Sequence, residues 1–364
     1  MADNLFAAID MGTNAFKLLI VEAQPPGKFL PILTRKEPIV LGRDSPSSTI
    51  SPHSQRLSFK SLEKFSKLLK SHNVPSLHTR CVATSAVREA RNKAEFVNSV
   101  AETTGFNVEV LSGEQEATFS YLGSLQFLPV FDHSILNIDI GGGSTEFAIG
   151  SCGKVDFSMS LKLGHITLTQ HISEDKEAEK VQKMREYVRK VVRKSGLIEK
   201  VKTLGFEVAV GSSGTVRAIE KAGSKGHGID LLQKEPFFKD CEVMNWRLSR
   251  EKISSVVESS CKGGKLQNGK RRAESIVAGG ILLEEIFDLV GIKEMLVSGY
   301  GLREGVIADT LAKVYAEDYD LEANSRFQSL LWLATSSFNG GTKTGVPQSE
   351  RVCRLISRLL RLDF

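Results

Sequence analysis

The chain has 364 residues, 41% hydrophobic and 25% charged, with 48 basic and 43 acidic side chains and a net charge of +5. That length holds two domains with separate cores, and the small basic excess permits a polyanionic ligand without demanding one. No run of about 18 apolar residues argues for a membrane span, and five scattered cysteines without a CxxC pair read as reduced thiols rather than a disulfide frame or a zinc site.

The opening "MADNLFAAIDMGTN" has acids at Asp3 and Asp10 and no basic start ahead of a long apolar run. Neither a secretory signal nor a transit peptide is expected, which points to a cytoplasmic location. "FAAIDMGTNAFKLLIVEA" then reads as a strand, a turn of one acid with glycine and hydroxyl residues, and a second strand. In "SFKSLEKFSKLLKSH", Leu62, Phe65, Leu68 and Leu69 fall at helical spacing. "TRCVATSAVREARN" predicts a short strand over 81–83 running into a helix capped near Thr84 or Ser85. "VEVLSGEQEATFSYLGSL" repeats that plan, with a strand ending near Leu111 and a helix from about Glu114.

The second half opens on "LNIDIGGGSTEFAIG". Glycine weakens strands and helices alike, so Gly141, Gly142 and Gly143 need a reason. One is a tight strand-to-strand turn; the other is a loop whose bare amides close on an anion, usually phosphate. The N-terminal segment decides between them, because Asp10 and Asp139 head the same pattern 129 residues apart. A turn needed only for folding would not have to repeat its acid. Two similar domains facing each other would bring two aspartates and two amide-lined tips into one cleft.

Beyond this, "SEDKEAEKVQKMREYVRKVVRKS" places Val181, Met184, Val188 and Val191 on one face of a charged amphipathic helix. "KGGKLQNGKRR" begins like a P-loop, but Arg271 stands where a metal-binding hydroxyl is required and no apolar strand precedes it. It reads as an exposed loop before a helix in "AESIVAGGILLEEIFDLV". After about residue 315, Leu330, Leu331, Leu333, Leu355, Leu359 and Leu360 mark helical pieces.

The repeated acid–glycine–hydroxyl hairpin resembles the actin, hexokinase and Hsp70 ATPase superfamily. More closely, "AIDMGTNAFKLLI", "CVATSAVREARN", "VLSGEQEATFSYLG", "NIDIGGGSTEF", "SLKLGHITLTQ", "AVGSSGTVRAI", "KRRAESIVAGGILLEEI" and "LVSGYGLREGV" keep the order of the exopolyphosphatase / guanosine pentaphosphate phosphatase (Ppx/GppA) family over roughly residues 5 to 310. The resemblance implies two RNase H-like α/β domains around a central cleft, with divisions at 1–123 and 124–315 and a helical tail over 316–364. Long members carry a histidine–aspartate metal domain at the end. This chain has no histidine after His227, so the short form is expected.

The activity implied is release of terminal phosphate from polyphosphate or guanosine pentaphosphate, with Mg²⁺. No nucleic acid or membrane partner is expected, and a homodimer is an assembly the resemblance allows. The amides and hydroxyls of Gly12, Thr13, Asn14, Gly141, Gly142, Gly143, Ser144 and Thr145 suit a phosphate cradle. Gly211, Ser212, Ser213 and Gly214 form a third small-residue loop before a helix, although the family usually has more glycine there. Asp10 and Asp139 offer hard oxygens for Mg²⁺. Lys17, Arg88 and Arg272 are candidate phosphate partners, Arg88 foremost because it ends the family segment "ATSAVR".

By resemblance, Glu116 orients the attacking water and takes its proton, with Asp139 and Glu146 also catalytic. Glu114 is the rival base; helical spacing puts it on another face from Glu116. His165 is expected to be a packed, hydrogen-bonded residue. Alternatives on the same fold are an ATP-dependent kinase-like phosphotransferase, which would need an acceptor-side base, and a catalytically silent nucleotide-binding protein.

Overall fold

The computed structural model describes residues 4–41, 49–172, 177–223, 247–261 and 270–328, with the backbone alone at 177 and 270–273. Its first half runs β1 (Leu5–Met11), β2 (Phe16–Gln24), β3 (Lys28–Glu37), α1 (Pro52–Ser71), β4 (Thr79–Ala83), α2 (Ser85–Arg88), α3 (Lys93–Thr104), β5 (Val108–Val110) and α4 (Gly113–Leu125). The second runs β6 (Ile135–Ile140), β7 (Thr145–Ser151), β8 (Lys154–Leu161), α5 (His165–His171), α6 (Glu177–Lys194), α7 (Leu197–Leu204), β9 (Val208–Ser212), α8 (Gly214–Gly223), β10 (Arg247–Ser249), α9 (Arg250–Cys261), α10 (Lys270–Val290), β11 (Glu294–Val297) and α11 (Leu302–Tyr315).

The two sheets share one plan. In the first, the order is β3-β2-β1-β4-β5, antiparallel through β1–β3 and parallel from β1 to β4 and β5. In the second, β8-β7-β6-β9-β11 repeats that order and β10 adds an antiparallel edge. This is the RNase H-like arrangement that the family resemblance implies, present twice.

Alternation along each strand buries both faces. In β1, Ala7, Ile9 and Met11 join the core beneath α1 and α3, whereas Phe6 and Ala8 face the other way. In β6, Leu136, Ile138 and Ile140 join the core of the second half, whereas Ile135 faces the shared layer. With a side-chain period of two, Asp10 and Asp139 fall on the inner faces, toward each other.

That inner layer is built from α4 and α11. Helix α4, from the first half, packs on β6, β7 and β8; α11, from the second half, packs on β1. Their apolar residues, among them Tyr121, Leu125, Val306 and Leu311, merge with Phe6, Val82, Ile135 and Val210 into one core joining both sheets. The helices cross backbone to backbone. A Cβ on Gly305 would lie 1.8 Å from the Phe119 carbonyl oxygen, and one on Gly123 1.9 Å from that of Gly301.

Several details differ from the sequence reading. The helix expected after residue 84 is broken: α2 has four residues, and α3 starts anew after Asn92. Helix α10 begins at Lys270, so Lys270, Arg271 and Arg272 form its first turn instead of a loop; all three are good helix formers. On α6, Met184, Val188 and Val192 are buried, with Val181 and Val191 packed at the margin. Its basic side is engaged: Arg185 and Arg189 pair with Glu284 and Glu285, which are both buried in α10, and Arg250 pairs with Glu284. Of the C-terminal segment, residues 323–328 are helical, and the leucines from 330 onward lie outside the described residues.

The glycine crossing predicts that Gly305→Ala forces α4 and α11 apart. Overpacking of this kind typically costs about 1–3 kcal/mol, so the urea midpoint should fall. An unchanged midpoint would show that the crossing tolerates a methyl group.

Candidate active site

The β1–β2 and β6–β7 hairpin tips meet. A Cβ on Gly143 would lie 2.9 Å from Thr13 Oγ1 and 2.7 Å from Ser85 Oγ, so the second tip rests against the first and against the start of α2. Gly142 is equally confined, its carbonyl 2.3 Å from where a Gly164 Cβ would stand. The strand register places Asp10 opposite Lys17 and Asp139 opposite Glu146. Both pairs keep the 129-residue offset. The partner differs in kind, however: Lys17 Nζ lies 3.2 Å from Asp10 Oδ2, whereas Glu146 sets a second carboxyl beside Asp139.

Asp139 is held from below. Ser120 of α4 and Ser212 of β9 both donate to its Oδ2, at 3.0 and 3.1 Å. Asn137, two residues earlier on the same face of β6, accepts from Ser124 at 2.7 Å. Ser120 and Ser124 follow Glu116 at four-residue intervals, so one face of α4 carries the carboxylate and two hydroxyls. Sequence reading missed these serines, although the i, i+4, i+8 spacing in "EATFSYLGS" is their signal.

Glu116 is buried, and its Oε2 accepts from Arg88 Nη1 at 2.7 Å. Arg88 also donates to the Leu111 carbonyl at 3.1 Å. Glu114 is exposed two residues away, accepting from Ser112 Oγ at 2.9 Å, and the helix terminus and that bond hold it below the usual carboxylate range. Glu146 is buried and accepts from Ser160 Oγ at 2.7 Å.

Asp10, Glu116, Asp139 and Glu146 therefore lie within electrostatic reach of one another. Burial pushes Glu116 up to about 7 against the pull of Arg88, with the charges of Asp139 and Asp10 adding to the rise. Burial also pushes Asp139 up to about 6, opposed by Lys17 and the two serines. Glu146 is raised well above the carboxylate range by burial and then by the charges of Glu116 and Asp139.

Other expected residues divide into two groups. Gly12, Thr13, Asn14 and Gly141–Ser144 form the tips. Thr145 is fully buried with its hydroxyl donating to the Leu163 carbonyl at 2.5 Å, which leaves it no proton for a phosphate. Gly211 lies inside β9 rather than in a loop, and Ser212 serves Asp139. The third loop therefore narrows to Ser213 and Gly214. Ser213 has φ +128, a glycine conformation, and its Oγ accepts the Val216 amide at 3.2 Å, capping α8. His165 is a hydrogen-bonded residue, with Nδ1 2.9 Å from the Gly141 carbonyl oxygen. The Arg272 side chain lies outside the described residues.

Among the described residues, no group of three or more histidine, cysteine, aspartate or glutamate side chains forms a metal cage. One buried atom lacks a partner where a cation would fit: Asp10 Oδ1.

The raised carboxyls set a sign for stability against pH. The folded protein holds protons on Glu116 and Asp139 up to about 7 and 6, whereas the ordinary values are 4.5 and 3.8. Their stabilisation is complete below the ordinary values and is lost as pH rises through the folded ones. With chelator present, the thermal midpoint should fall between about pH 4 and 7, and Glu116→Gln should flatten that slope. A midpoint rising over this range would mean that burial does not raise Glu116 and Asp139 in the folded protein.

Comparisons with known proteins bear on the family and the fold. The model of the Ppx/GppA phosphatase family matches residues 20–314. A guanosine-5'-triphosphate,3'-diphosphate pyrophosphatase from Aeromonas hydrophila is 29% identical over 88% of this chain, and the chain spans 62% of that relative's length. The fold matches that of an exopolyphosphatase from Cytophaga hutchinsonii with a TM-score of 0.75 at 24% identity, over 88% of this chain and all of that one. It also matches a Ppx/GppA family member from Aquifex aeolicus with a TM-score of 0.68 at 24% identity, over 87% and 99%. The chain belongs to the Ppx/GppA phosphatase family.

Proposed function

We propose that the protein hydrolyses terminal phosphoanhydride bonds, releasing orthophosphate from inorganic polyphosphate, guanosine pentaphosphate or both. The observation that carries this reading is a buried carboxylate, Glu116, held on Arg88 within electrostatic reach of Asp139, where two glycine-bearing hairpin tips meet. Family membership and the curated relative support it.

In this reading the amides of Gly12–Asn14 and Gly142–Ser144 receive the terminal phosphate, the Gly141 amide being held by the Ser144 carbonyl at 2.9 Å, and Lys17 and Arg88 neutralise its oxygens. Glu116 accepts a proton from water as the water oxygen bonds to phosphorus. The anhydride P–O bond breaks, and its oxygen leaves on the shortened chain. Ser120 and Ser212 fix Asp139 in rotamer and orientation. Glu146, raised well above the carboxylate range by burial and then by the charges of Glu116 and Asp139, stands opposite Asp139 as a further carboxyl of the site. Asp10 and Asp139 would hold Mg²⁺, which suits the hard carboxylate oxygens and the unpartnered Asp10 Oδ1. When bound, the ion supplies further neutralisation of phosphate charge.

The direct test is orthophosphate release from polyphosphate, guanosine pentaphosphate and ATP side by side, with Mg²⁺ and with chelator. Release should require Mg²⁺ and Asp139; activity that survives chelation or Asp139→Ala would count against the metal role. Glu116→Gln should lower kcat by at least about 10²-fold, the usual weight of a general base, with KM changed far less. Glu114→Gln should cost only a few tenths of a kcal/mol of helix stability. If Glu114→Gln were the inactive variant, the base would be misassigned; if both stayed active, no carboxylate on α4 would be the base.

A further inference from the structure

We propose that Arg88 and Lys162 form an anion subsite at the cleft mouth, occupied here by the protein's own Glu89, for a substrate phosphate beyond the one attacked. The proposal rests on the phosphoanhydride reading above. Glu89 follows α2, on the side of the first sheet; Lys162 follows β8, on the side of the second. One Glu89 oxygen pairs with Lys162 Nζ, and the other lies 3.6 Å from Arg88 Nε. A single carboxylate thus bridges cations from both halves of the molecule. The bridge flanks the second hairpin tip. Ser85, at the head of α2, abuts Gly143, and Gly164, two residues after Lys162, abuts Gly142.

Arg88 links this bridge to the reacting centre, because its Nη1 donates to Glu116 while its Nε faces Glu89. A phosphate taking the place of the Glu89 carboxylate would therefore follow the attacked phosphate along the chain. Phosphate oxygens suit the same arginine–lysine pair and bring more charge than one carboxylate. The resident bridge is weak enough to yield: Lys162 is 78% exposed and Glu89 37%, and exposed ion pairs contribute little. Glu89 thus acts as a competitor that screens out weakly charged ligands, and Lys162 as a specificity-determining contact.

The experiment measures dissociation constants by titration calorimetry, with Mg²⁺ and the slowed Glu116→Gln background. The ligands are tripolyphosphate, long-chain polyphosphate and guanosine pentaphosphate. Adding Glu89→Gln should tighten binding about two- to fivefold, and adding Lys162→Gln should weaken it by a similar factor, on the scale of one exposed charge contact. Both effects should shrink at high salt. Opposite signs are the decisive readout, because a merely structural salt bridge would be broken by either change and would shift binding the same way. Equal-sign or null shifts in a protein that binds these ligands overturn the subsite alone. An effect of Lys162 confined to long-chain polyphosphate assigns the displaced position to the inorganic chain; an effect on guanosine pentaphosphate assigns it to the nucleotide's phosphates as well. If the protein with Glu116 intact neither binds nor cleaves any of the three, the hydrolase reading itself fails.

Discussion

The site depends on two helices exchanged between the halves of the chain and crossing with almost no separation. Helix α4 carries Glu116 and Ser120 but lies on the second sheet, where Ser120 reaches Asp139. Helix α11 begins at the second sheet, with Gly301 beside Asp139, yet its body lies on β1, which carries Asp10. Glycines at 123 and 305 allow this, since any side chain there would meet a backbone carbonyl oxygen. Close-packed backbones resist compression and transmit displacement. The distance between Glu116 and the two aspartates is therefore set by main-chain contact rather than by adaptable side chains.

The second governing feature is electrostatic. Four carboxyl groups share one buried region that contains Arg88 and Lys17 as its near cations. Desolvation and mutual repulsion favour protons on Glu116, Asp139 and Glu146. Stability is given up locally for a region that gains from incoming positive charge, and strained titration of this kind is characteristic of sites that do chemistry. In the proposed reaction, the cation and the protein's bases act on a phosphate whose own charge the amide-lined tips receive.

The repeat shows how one supersecondary unit serves two roles. Both hairpins present an aspartate two residues before the tip, but position 17 is lysine where its counterpart, 146, is glutamate. Asp10 is thereby partly neutralised within its own hairpin, and Asp139 depends on hydroxyls from α4 and β9. The two backbones match in strand order and register while the side chains differ. Strain is also accepted at Ser213, where a glycine-like conformation is held by a residue whose side chain caps the following helix.

The sequence by itself determined what is local. Periodicity and glycine placement marked both hairpins, and the recurrence of their acids led to two like domains and one cleft. The separation of Glu114 from Glu116 also followed from helical spacing, and the structure puts one outside as a cap-bonded residue and the other against Arg88. Only tertiary structure decided what depends on contacts between distant segments. Nothing in "STE" reveals that Thr145 turns inward to Leu163, or in "GSSG" that Gly211 and Ser212 remain in a strand. The exchange of α4 and α11, and the bridge from Arg88 through Glu89 to Lys162, join residues whose proximity has no period in the chain. Local pattern fixes which face a residue takes on its own element; what stands opposite that face is decided only when the elements pack.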